Sequence, residues 1–355
     1  MIHHSKPYIV DKKQIFQYIK QILDSNQLAE NKFVQLFEKQ LCKFFGTKYA
    51  VCVSSGTSAL HLALLSLGID NNSEVIIPAF CCPAVLNAVL YTGAKPVIAD
   101  VNLEDFNLSY EDVRKKVTKK TKAIILPHMF GYPAKDIDKI LNLNIPVIED
   151  TTQSIGAKIN NILVGRFGKI NIVSFYATKM ITTFGEGGTV LTNDKKIYET
   201  VNDLKKYDKK LSFKVRYNYK LSEVQAAMGI LQLRQLEDII EKRIKIFHHY
   251  KNGFKNCNKI RIFEPIKNTQ AVFYRFIIQI IDKKQNIEQI IKKYRQFGIE
   301  VARPVYVPLD KFYTGKFYCE NSKILYETTL SLPIYPSLKI KEVDYVIETT
   351  KKIIC

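Results

Sequence analysis

Apolar and polar positions alternate in a regular way between residues 48 and 192. Short apolar runs rich in β-branched residues are separated by longer stretches in which apolar positions recur every three or four residues. The short runs are typical of buried strands and the longer stretches of helices. Strands that alternate with helices in this way favour an α/β fold, with a mainly parallel sheet covered on both faces. The predicted strands are YAVCV, EVIIP, KPVIADV, TKAIILP, IPVIED, INIVSF and GTVLTN.

The pattern changes after residue 194. A long helical pattern runs from residue 221 to residue 254, and it is followed by the strand-like VFYRFIIQI, a helix, the loop ARPVYVPLD and a final amphipathic stretch. This predicts N-terminal helices and a large α/β domain in residues 1–254, and a smaller α+β domain in residues 255–355.

Composition narrows the class of protein. The 355 residues are 46% hydrophobic and 25% charged, which is typical of a globular protein. No signal peptide is recognised and the apolar runs are too short to span a bilayer, so we expect a cytoplasmic protein with no membrane partner. The seven cysteines never form a C-x-x-C spacing, so neither a disulfide framework nor a metal site is predicted.

The chain is strongly basic, with 53 Lys and Arg against 34 Asp and Glu and a net charge of +19. Such an excess is compatible with an anionic partner, either nucleic acid, a membrane surface or a phosphorylated small molecule. The lysines are dispersed through helical stretches without interleaved aromatic residues, so no nucleic-acid partner is predicted.

Polar residues follow several of the predicted strands, at the sheet edge where α/β proteins bind ligands. The stretch from Ser54 to Thr57 is either an anion site at a helix start or an ordinary N-cap. Glu149 and Asp150 end another strand, and because their side chains point to opposite faces, one should face the cleft. That carboxylate could bind a metal, act as a base or hold a protonated ring nitrogen, or simply cap the next segment.

Lys179 follows the strand INIVSF and precedes a glycine-rich loop. We expect desolvation to lower the pKa of its amine, as is needed to bind an aldehyde covalently. A phosphate site, a carboxylate and such a lysine on one sheet edge meet the requirements of pyridoxal 5'-phosphate.

The stretches SSGTSALHLAL, VIEDTTQSIGA, SFYATK, GEGGTVLTND and YNYKLSEVQAAMG occur in an order that resembles the DegT/StrS-type sugar aminotransferases. These are pyridoxal-phosphate enzymes with the aspartate-aminotransferase fold. The resemblance spans nearly the whole chain and implies a large domain with a seven-stranded, mainly parallel sheet.

The resemblance implies roles for individual residues. Lys179 would bind the cofactor aldehyde and move a proton between the substrate carbon and the cofactor. Asp150 would pair with the ring nitrogen, and Gln153 would contact the side of the ring that bears the 3-oxygen. The implied phosphate ligands are Gly56, Thr57, Ser174 and Asn218, of which Asn218 would come from the neighbouring subunit of a homodimer. The implied substrate-binding residues are Glu186, Lys220, Arg303 and Tyr306.

Two positions depart from the family's pattern. Where many members stack an aromatic residue on the cofactor ring, this chain has Cys82, with Phe80 two positions earlier, and either residue is a candidate for that place. Lys220 stands where arginine is usual, so the charge is kept and the planar fork is lost. For His128, a packed, hydrogen-bonded role and a role in the site both remain open.

The implied reaction transfers an amino group from L-glutamate to a keto-sugar linked to a nucleoside diphosphate, for amino-sugar biosynthesis in a surface polysaccharide or glycoconjugate. Relatives that dehydrate sugars replace the lysine with histidine, so Lys179 favours transamination. The alternatives are a non-nucleotide ketone such as a cyclitol as acceptor, or a non-catalytic regulatory protein.

Overall fold

The computed structural model describes residues 1–9, 11–282, 286–313, 315 and 317–355. Its strands are β1 (Tyr49–Val53), β2 (Glu74–Pro78), β3 (Lys95–Ala99), β4 (Thr121–Pro127), β5 (Val147–Asp150), β6 (Lys158–Ile159), β7 (Ile162–Leu163), β8 (Ile170–Ser174), β9 (Gly188–Thr192), β10 (Ile260–Ile262), β11 (Thr269–Gln270), β12 (Phe276–Ile280) and β13 (Thr329–Leu332).

The helices begin and end close to the amphipathic stretches of the sequence. They are α1 (Lys12–Ser25), α2 (Lys32–Phe45), α3 (Gly56–Ser66), α4 (Pro83–Tyr91), α5 (Tyr110–Lys116), α6 (Ile137–Leu141), α7 (Lys195–Leu204), α8 (Glu223–Arg234), α9 (Leu236–Gly253), α10 (Ile287–Gln296), α11 (Leu309–Phe312), α12 (Glu320–Thr328) and α13 (Ile340–Ile353). A short 3-10 turn covers Met129–Gly131.

The central sheet has seven strands in the order β1-β9-β8-β5-β4-β2-β3. The strand β9 is antiparallel to both of its neighbours, and the other pairs are parallel. All five residues of β2 are buried, as expected for a strand covered on both faces. The predicted α/β fold is confirmed.

The helix α2 covers one face of this sheet and packs closely against α8. Its buried positions Phe33, Phe37 and Leu41 recur every four residues and form one apolar stripe. A Cβ on Gly229 of α8 would lie 2.5 Å from the Phe37 ring, so the glycine permits this close helix crossing. The N-terminal helices therefore pack against α8 and the edge of the central sheet.

The helical pattern from residue 221 to residue 254 is two helices and not one. The helix α8 starts at a capping box formed by Ser222 and Gln225 and ends at Arg234, and Gln235 is the cap residue between it and α9. The residues of α8 are buried on almost all sides, whereas α9 buries one face. The break carries no Gly or Pro signal, because it arises from the different packing of the two halves.

A second sheet, β10-β12-β13, forms the centre of the C-terminal region. The N-terminus joins this region, since Ile2 donates to the carbonyl of Gly298 and accepts from the N–H of Glu300, each at 2.8 Å. The boundary predicted near Lys255 follows the end of α9 and stays a prediction.

The expectation that the cysteines form no disulfide is wrong for one pair. Cys257, after α9, is bonded to Cys355 at the C-terminus, with their Cα atoms 5.8 Å apart. The two residues are 98 positions apart, so no sequence spacing could reveal a pairing that the packing of α13 against α9 creates.

Within the described ranges, none of the helices is long and apolar enough to cross a membrane. In the same part of the chain, His, Cys, Asp and Glu side chains form no group of three placed to hold a metal ion.

Candidate active site

A cavity of about 260 Å³ lies at the carboxyl ends of β1, β5 and β8. This is the sheet edge at which the sequence predicted a ligand. The predicted residues that line the cavity are Gly56, Thr57, Cys82, Asp150, Gln153, Ser174, Lys179 and Glu186.

The two adjacent carboxylates at the end of β5 have different environments. Glu149 is fully buried on the far face, where it accepts hydrogen bonds from the N–H groups of Gly165 (2.7 Å), Phe167 (2.7 Å) and Gly168 (2.6 Å). Asp150 points into the cavity. The alternation of side chains along a strand therefore separates a carboxylate that binds backbone N–H groups from one that faces the cavity.

His128 is the second partner of Glu149. The N–H of Ala134 donates to its Nδ1 at 3.0 Å, so Nε2 carries the proton and donates to Glu149 Oε2, also at 3.0 Å. His128 is completely buried with both ring nitrogens engaged, and so it is the packed, hydrogen-bonded histidine of the two predicted possibilities.

Asp150 is held in place from its own loop. The N–H of Thr152 donates to Asp150 Oδ1 at 2.9 Å, and the hydroxyl of Thr152 accepts from the N–H of Ser174 at 2.8 Å. Burial raises the pKa of Asp150 and outweighs the hydrogen bonds from Thr152 and the attraction of Lys179. A carboxylate in this environment is stabilised by a cationic group that enters the cavity.

The start of α3 forms another wall of the same cavity. The side chain of Ser55 caps the helix by accepting from the N–H of Ser58 at 3.0 Å, which leaves the N–H groups of Gly56 and Thr57 directed beyond the helix start. A Cβ on Gly56 would lie 2.4 Å from the Cβ of Ser174. The glycine thus brings the helix start against the end of β8, where backbone and hydroxyl donors converge.

Lys179 lies in the loop between β8 and β9. Its N–H donates to the carbonyl of Tyr176 at 2.9 Å, and Ala177 donates to the carbonyl of Gly185 at 3.0 Å, so the loop is folded back on itself. These bonds fix the backbone from which the side chain enters the cavity.

The predicted lowering of the Lys179 pKa is wrong. Burial is the largest influence and does lower the pKa, but Tyr274, Cys82 and Asp150 together raise it above the ordinary value of a lysine. Sequence reasoning considered desolvation and omitted these neighbours. In the protein without cofactor, the amine is therefore protonated.

Gln153 and Glu186 complete the wall of the cavity. Gln153 Oε1 accepts from the N–H of Phe130 at 2.8 Å, which leaves the NH₂ group as the end that can donate to a ligand. The carbonyl of Glu186 accepts from Gln225 Nε2 at 2.7 Å, so α8 supports this side of the loop.

The structure does not bring every predicted residue to the cavity. Phe80 is fully buried and packs edge-on against Phe130, with ring centroids 6.1 Å apart, whereas Cys82 lines the cavity. The assignment of Phe80 to the cofactor is therefore corrected, since its ring fills the core. Lys220 forms an ion pair with Asp208 outside the cavity.

Three further predicted residues lie away from the cavity of the single chain. Asn218 is exposed on the surface. Arg303 and Tyr306 line a separate cavity of about 360 Å³ in the C-terminal region, where Arg303 pairs with Glu288 at 2.9 Å.

Tyr274 is a residue of the site that the sequence analysis missed. It is buried, and its ring centroid lies 5.4 Å from Lys179 Nζ. It belongs to VFYRFIIQI, which was interpreted as a strand throughout, although β12 begins only at Phe276. The adjacent tyrosine and arginine before the buried strand are the signal that could have revealed it.

The cavity residues fit pyridoxal phosphate. The start of α3 and Ser174 offer donors for a phosphate, and Asp150 offers a carboxylate that burial destabilises in the absence of a cation. Lys179 would supply the amine for the aldehyde. A Cβ on Gly56 would collide with Ser174, so the glycine lets these donors lie close together.

Comparisons with known proteins identify the family of the chain. The DegT/DnrJ/EryC1/StrS aminotransferase family matches residues 10–351. GDP-perosamine synthase of Escherichia coli O157:H7 is 33% identical, with 97% of this chain and 96% of that protein covered. The UDP-4-amino-4,6-dideoxy-N-acetyl-beta-L-altrosamine transaminase of Campylobacter jejuni subsp. jejuni serotype O:23/36 (strain 81-176) is 30% identical, with 96% and 94% covered.

A solved structure has the same fold over the whole chain. Helicobacter pylori PseC, an aminotransferase involved in the biosynthesis of pseudoaminic acid, has a TM-score of 0.90 and 26% identity over 99% of both chains. The chain belongs to the DegT/DnrJ/EryC1/StrS aminotransferase family. Pyridoxal phosphate is the cofactor of this family, so the predicted enzyme class and cofactor are confirmed.

Proposed function

We propose that the protein transfers an amino group from L-glutamate to a nucleotide-linked keto-sugar, for amino-sugar biosynthesis in a polysaccharide or glycoconjugate. The observation that carries this proposal is that Lys179, Asp150 and the start of α3 line one cavity. The nucleotide-linked acceptor is supported by two relatives whose names contain GDP- and UDP-linked amino sugars.

Bound pyridoxal phosphate would supply an aldehyde for the amine and a ring that accepts electrons from the substrate carbon. The residues around it have separate tasks. Asp150 would keep a proton on the ring nitrogen by offering it a buried carboxylate. Gly56, Thr57 and Ser174 would hold the phosphate, and Gln153 would orient the ring through its NH₂ group.

Lys179 has two tasks in this scheme. Its Nζ would hold the cofactor aldehyde in the resting enzyme. When it is not bound to the cofactor, Nζ would carry the proton that leaves the α-carbon of the amino donor and deliver it to the cofactor. The hydrogen-bonded loop around Tyr176 and Gly185 keeps this atom in place during both transfers.

The acceptor site is proposed to include the second cavity. Arg303 lies over the Tyr326 ring at 4.2 Å, and Lys311 lies over the same ring at 4.3 Å. Glu288 also lines the cavity and pairs with Arg303, so a diphosphate would bind to the guanidinium by displacing that carboxylate. Tyr306, which is 86% exposed at its rim, is available to contact the sugar or the base.

We further propose a homodimer with shared active sites. The segment 207–215 exposes Tyr207, Leu211, Phe213 and Val215, and Phe213 is 98% exposed. Exposed apolar groups in one segment are typical of a protein interface. Asn218 follows this segment, so the contact would place it near the cavity of a partner, as the family resemblance implies.

We also propose a cytoplasmic location. Five of the seven cysteines, including the adjacent Cys81 and Cys82, are free, and the Cys257–Cys355 disulfide is the exception. Free thiols of this kind are typical of a reducing compartment.

The function is tested with purified protein, pyridoxal phosphate and L-glutamate. We expect a yellow protein in which borohydride fixes the cofactor to Lys179, as located by peptide mass spectrometry. With GDP-, UDP- and dTDP-linked keto-sugars offered in turn, one class should yield an amino sugar and 2-oxoglutarate in equal amounts. A protein that converts only a cyclitol ketone, or that binds the cofactor without turnover, would contradict the proposal.

The dimer is tested separately by sedimentation. Phe213→Asp should give a monomer that binds pyridoxal phosphate more weakly, because the partner's contribution is lost. A wild-type protein that sediments as a monomer with full activity would exclude shared sites.

A further inference from the structure

Tyr274 is a buried phenol beside the amine that performs the chemistry. Its side chain is 4% exposed, and Lys179 Nζ lies 5.4 Å from its ring centroid. The residue adjacent to the lysine, Thr178, donates a side-chain hydrogen bond to the phenol oxygen. The phenol is thus coupled to both positions 178 and 179 of the loop.

The backbone fixes the position of Tyr274 against the large domain. The N–H of Val272 donates to the carbonyl of Gly131 at 3.0 Å, and that of Arg275 donates to the carbonyl of Phe130 at 3.2 Å. A Cβ on Gly131 would lie 2.7 Å from the backbone nitrogen of Tyr274, and Gly131 has a φ of +94°. The glycine therefore allows this segment to dock tightly beside the cavity.

Two arginines surround the phenol. Arg275 Nη2 donates to the Tyr274 oxygen at 3.4 Å, and its guanidinium lies 4.7 Å from the ring centroid. The guanidinium of Arg243 lies 5.8 Å from the same centroid and is held by the carbonyls of Phe273 and Tyr274. Both cations favour the negative form of the phenol.

The electrostatics agree with this geometry. Burial alone raises the pKa of Tyr274, but Arg275, Lys179, the hydrogen bond from Thr178 and Arg243 together lower it to about 8. In return, Tyr274 is the first of the neighbours that raise the pKa of Lys179. His4, which contacts Arg275 at 3.3 Å, has a pKa lowered by burial and by that arginine, so it adds no second positive charge near neutral pH.

We propose that Tyr274 is the proton partner of Lys179, a positioning residue that sets when the ε-amine is neutral. In the protein without cofactor, the pair is an ammonium and a neutral phenol below about pH 8, and an ammonium and a phenolate above it. When the lysine must act as an amine above this pH, one proton passes from Nζ to the phenolate oxygen, which gives a neutral amine and a neutral phenol. The N–H bond breaks, the O–H bond forms, and no other reactant is required.

The pair gives the fold a way to keep a buried amine charged until the cofactor arrives. Its meaning for catalysis rests on the proposed function, in which Lys179 binds the cofactor. The pair itself exists in the protein without cofactor, so it is measured there. If the titration shows no coupling between Tyr274 and Lys179, the proposed aminotransferase activity is unaffected. If the protein proves not to be an aminotransferase, the titration of the cofactor-free protein is still expected to show the coupling.

The test is an ultraviolet difference titration of the cofactor-free protein, which follows the ionisation of its tyrosines. The wild type should show one phenolate that appears near pH 8. Tyr274→Phe should lose this step. The matched control Tyr294→Phe should keep it, because the buried Tyr294 hydroxyl bonds to Thr350 in the C-terminal region and its pKa is raised.

The other member of the pair gives an independent measurement. Lys179→Ala should move the phenolate step upward by about one pH unit or more, since a cation that lowers the Tyr274 pKa is removed. By the same coupling, Tyr274→Phe should lower the pH at which Lys179 becomes reactive toward an amine-modifying reagent, as followed by peptide mass spectrometry.

Each outcome decides the proposal. A step near pH 8 that persists in Tyr274→Phe, or a step that does not move in Lys179→Ala, would overturn it. If Tyr274→Phe fails to fold, the Lys179→Ala titration still decides, because it leaves the tyrosine in place. A tyrosine that only fills space would alter neither titration.

Discussion

The two ends of the central sheet each have a polar cavity with a lysine and an aspartate in its wall. The cavity at the carboxyl ends of the parallel strands has about 260 Å³ and contains Lys179 and Asp150. The cavity at the opposite end has about 350 Å³ and contains Lys169 and Asp194. Size therefore does not separate the proposed active site from the other cavity.

The arrangement of charge does separate them. At the opposite end, Lys169 Nζ lies 2.7 Å from Asp194, and Asp194 also caps α7 through the N–H groups of Lys196 and Ile197. These groups satisfy one another, and Lys169 is 49% exposed. At the carboxyl end, burial raises the pKa of Asp150, and Lys179 faces a phenol and a thiol. A binding site is thus recognised by charges whose partners are incomplete.

The largest effect on the transamination rate is expected when the lysine of the carboxyl-end cavity is replaced by alanine. Lys179→Ala should lower the transamination rate by about 10³-fold or more, because both the covalent bond to the cofactor and the proton transfer are lost. Lys169→Ala is the matched control and should keep the wild-type rate. The production of 2-oxoglutarate from L-glutamate measures both. A Lys179→Ala protein that keeps its activity would contradict the proposal that the carboxyl-end cavity is the active site.

The adjacent carboxylates of β5 should divide activity from stability. Asp150→Asn should lower the rate by about 10² to 10³-fold with little change in unfolding, because it removes a charge from the cavity. Glu149→Gln should lower the free energy of unfolding by about 2–4 kcal/mol, because three backbone N–H groups lose a charged acceptor. Rates and denaturant unfolding curves are measured on both variants. If the two variants lost activity and stability to the same extent, the separate roles assigned to Asp150 and Glu149 would be contradicted.

Removing the disulfide should lower the stability of the protein without changing either cavity of the central sheet. Cys257→Ser should lower the free energy of unfolding by about 2–4 kcal/mol, because the bond closes a loop of 98 residues. The rate per folded molecule should not change. Thermal unfolding with and without reductant measures the effect, and the variant itself should be insensitive to reductant. A wild type that is equally insensitive would show that the bond does not form.

The helix start at the cavity should tolerate no Cβ. Gly56→Ala should weaken cofactor affinity by about tenfold and destabilise the protein by about 1–3 kcal/mol, because the new methyl group would meet Ser174. Gly68→Ala is a control with no atom within 4 Å of the added Cβ, although its φ of +74° brings some strain of its own. Spectroscopic titration with pyridoxal phosphate should leave the affinity of Gly68→Ala unchanged. Unaltered affinity in Gly56→Ala would exclude the phosphate cradle.

The smallest effect on the transamination rate is expected for the cavity at the opposite end of the central sheet. Asp194→Asn should leave the transamination rate and the cofactor affinity unchanged, because the residue belongs to a surface helix cap and an exposed ion pair. Steady-state rates in low and high salt measure this. A rate loss comparable to that of Asp150→Asn would mean that both cavities take part in the reaction.

Local patterns in the sequence predicted much of this molecule. The alternation along β5 showed that only one of Glu149 and Asp150 could face the cleft, because successive side chains of a strand point to opposite sides. The apolar runs predicted the strands of the central sheet, since buried strands of an α/β sheet are apolar over their whole length. The position of Lys179 after β8 placed its amine at the correct sheet edge.

The tertiary structure decided what depends on residues far apart in sequence. The pKa of Lys179 is raised and not lowered because Tyr274 arrives from a segment almost a hundred residues later. The Cys257–Cys355 bond and the pairing of Ile2 with Gly298 have the same origin. Periodicity reports which face of an element is buried, but the charge that a buried group meets is set by the element packed against it.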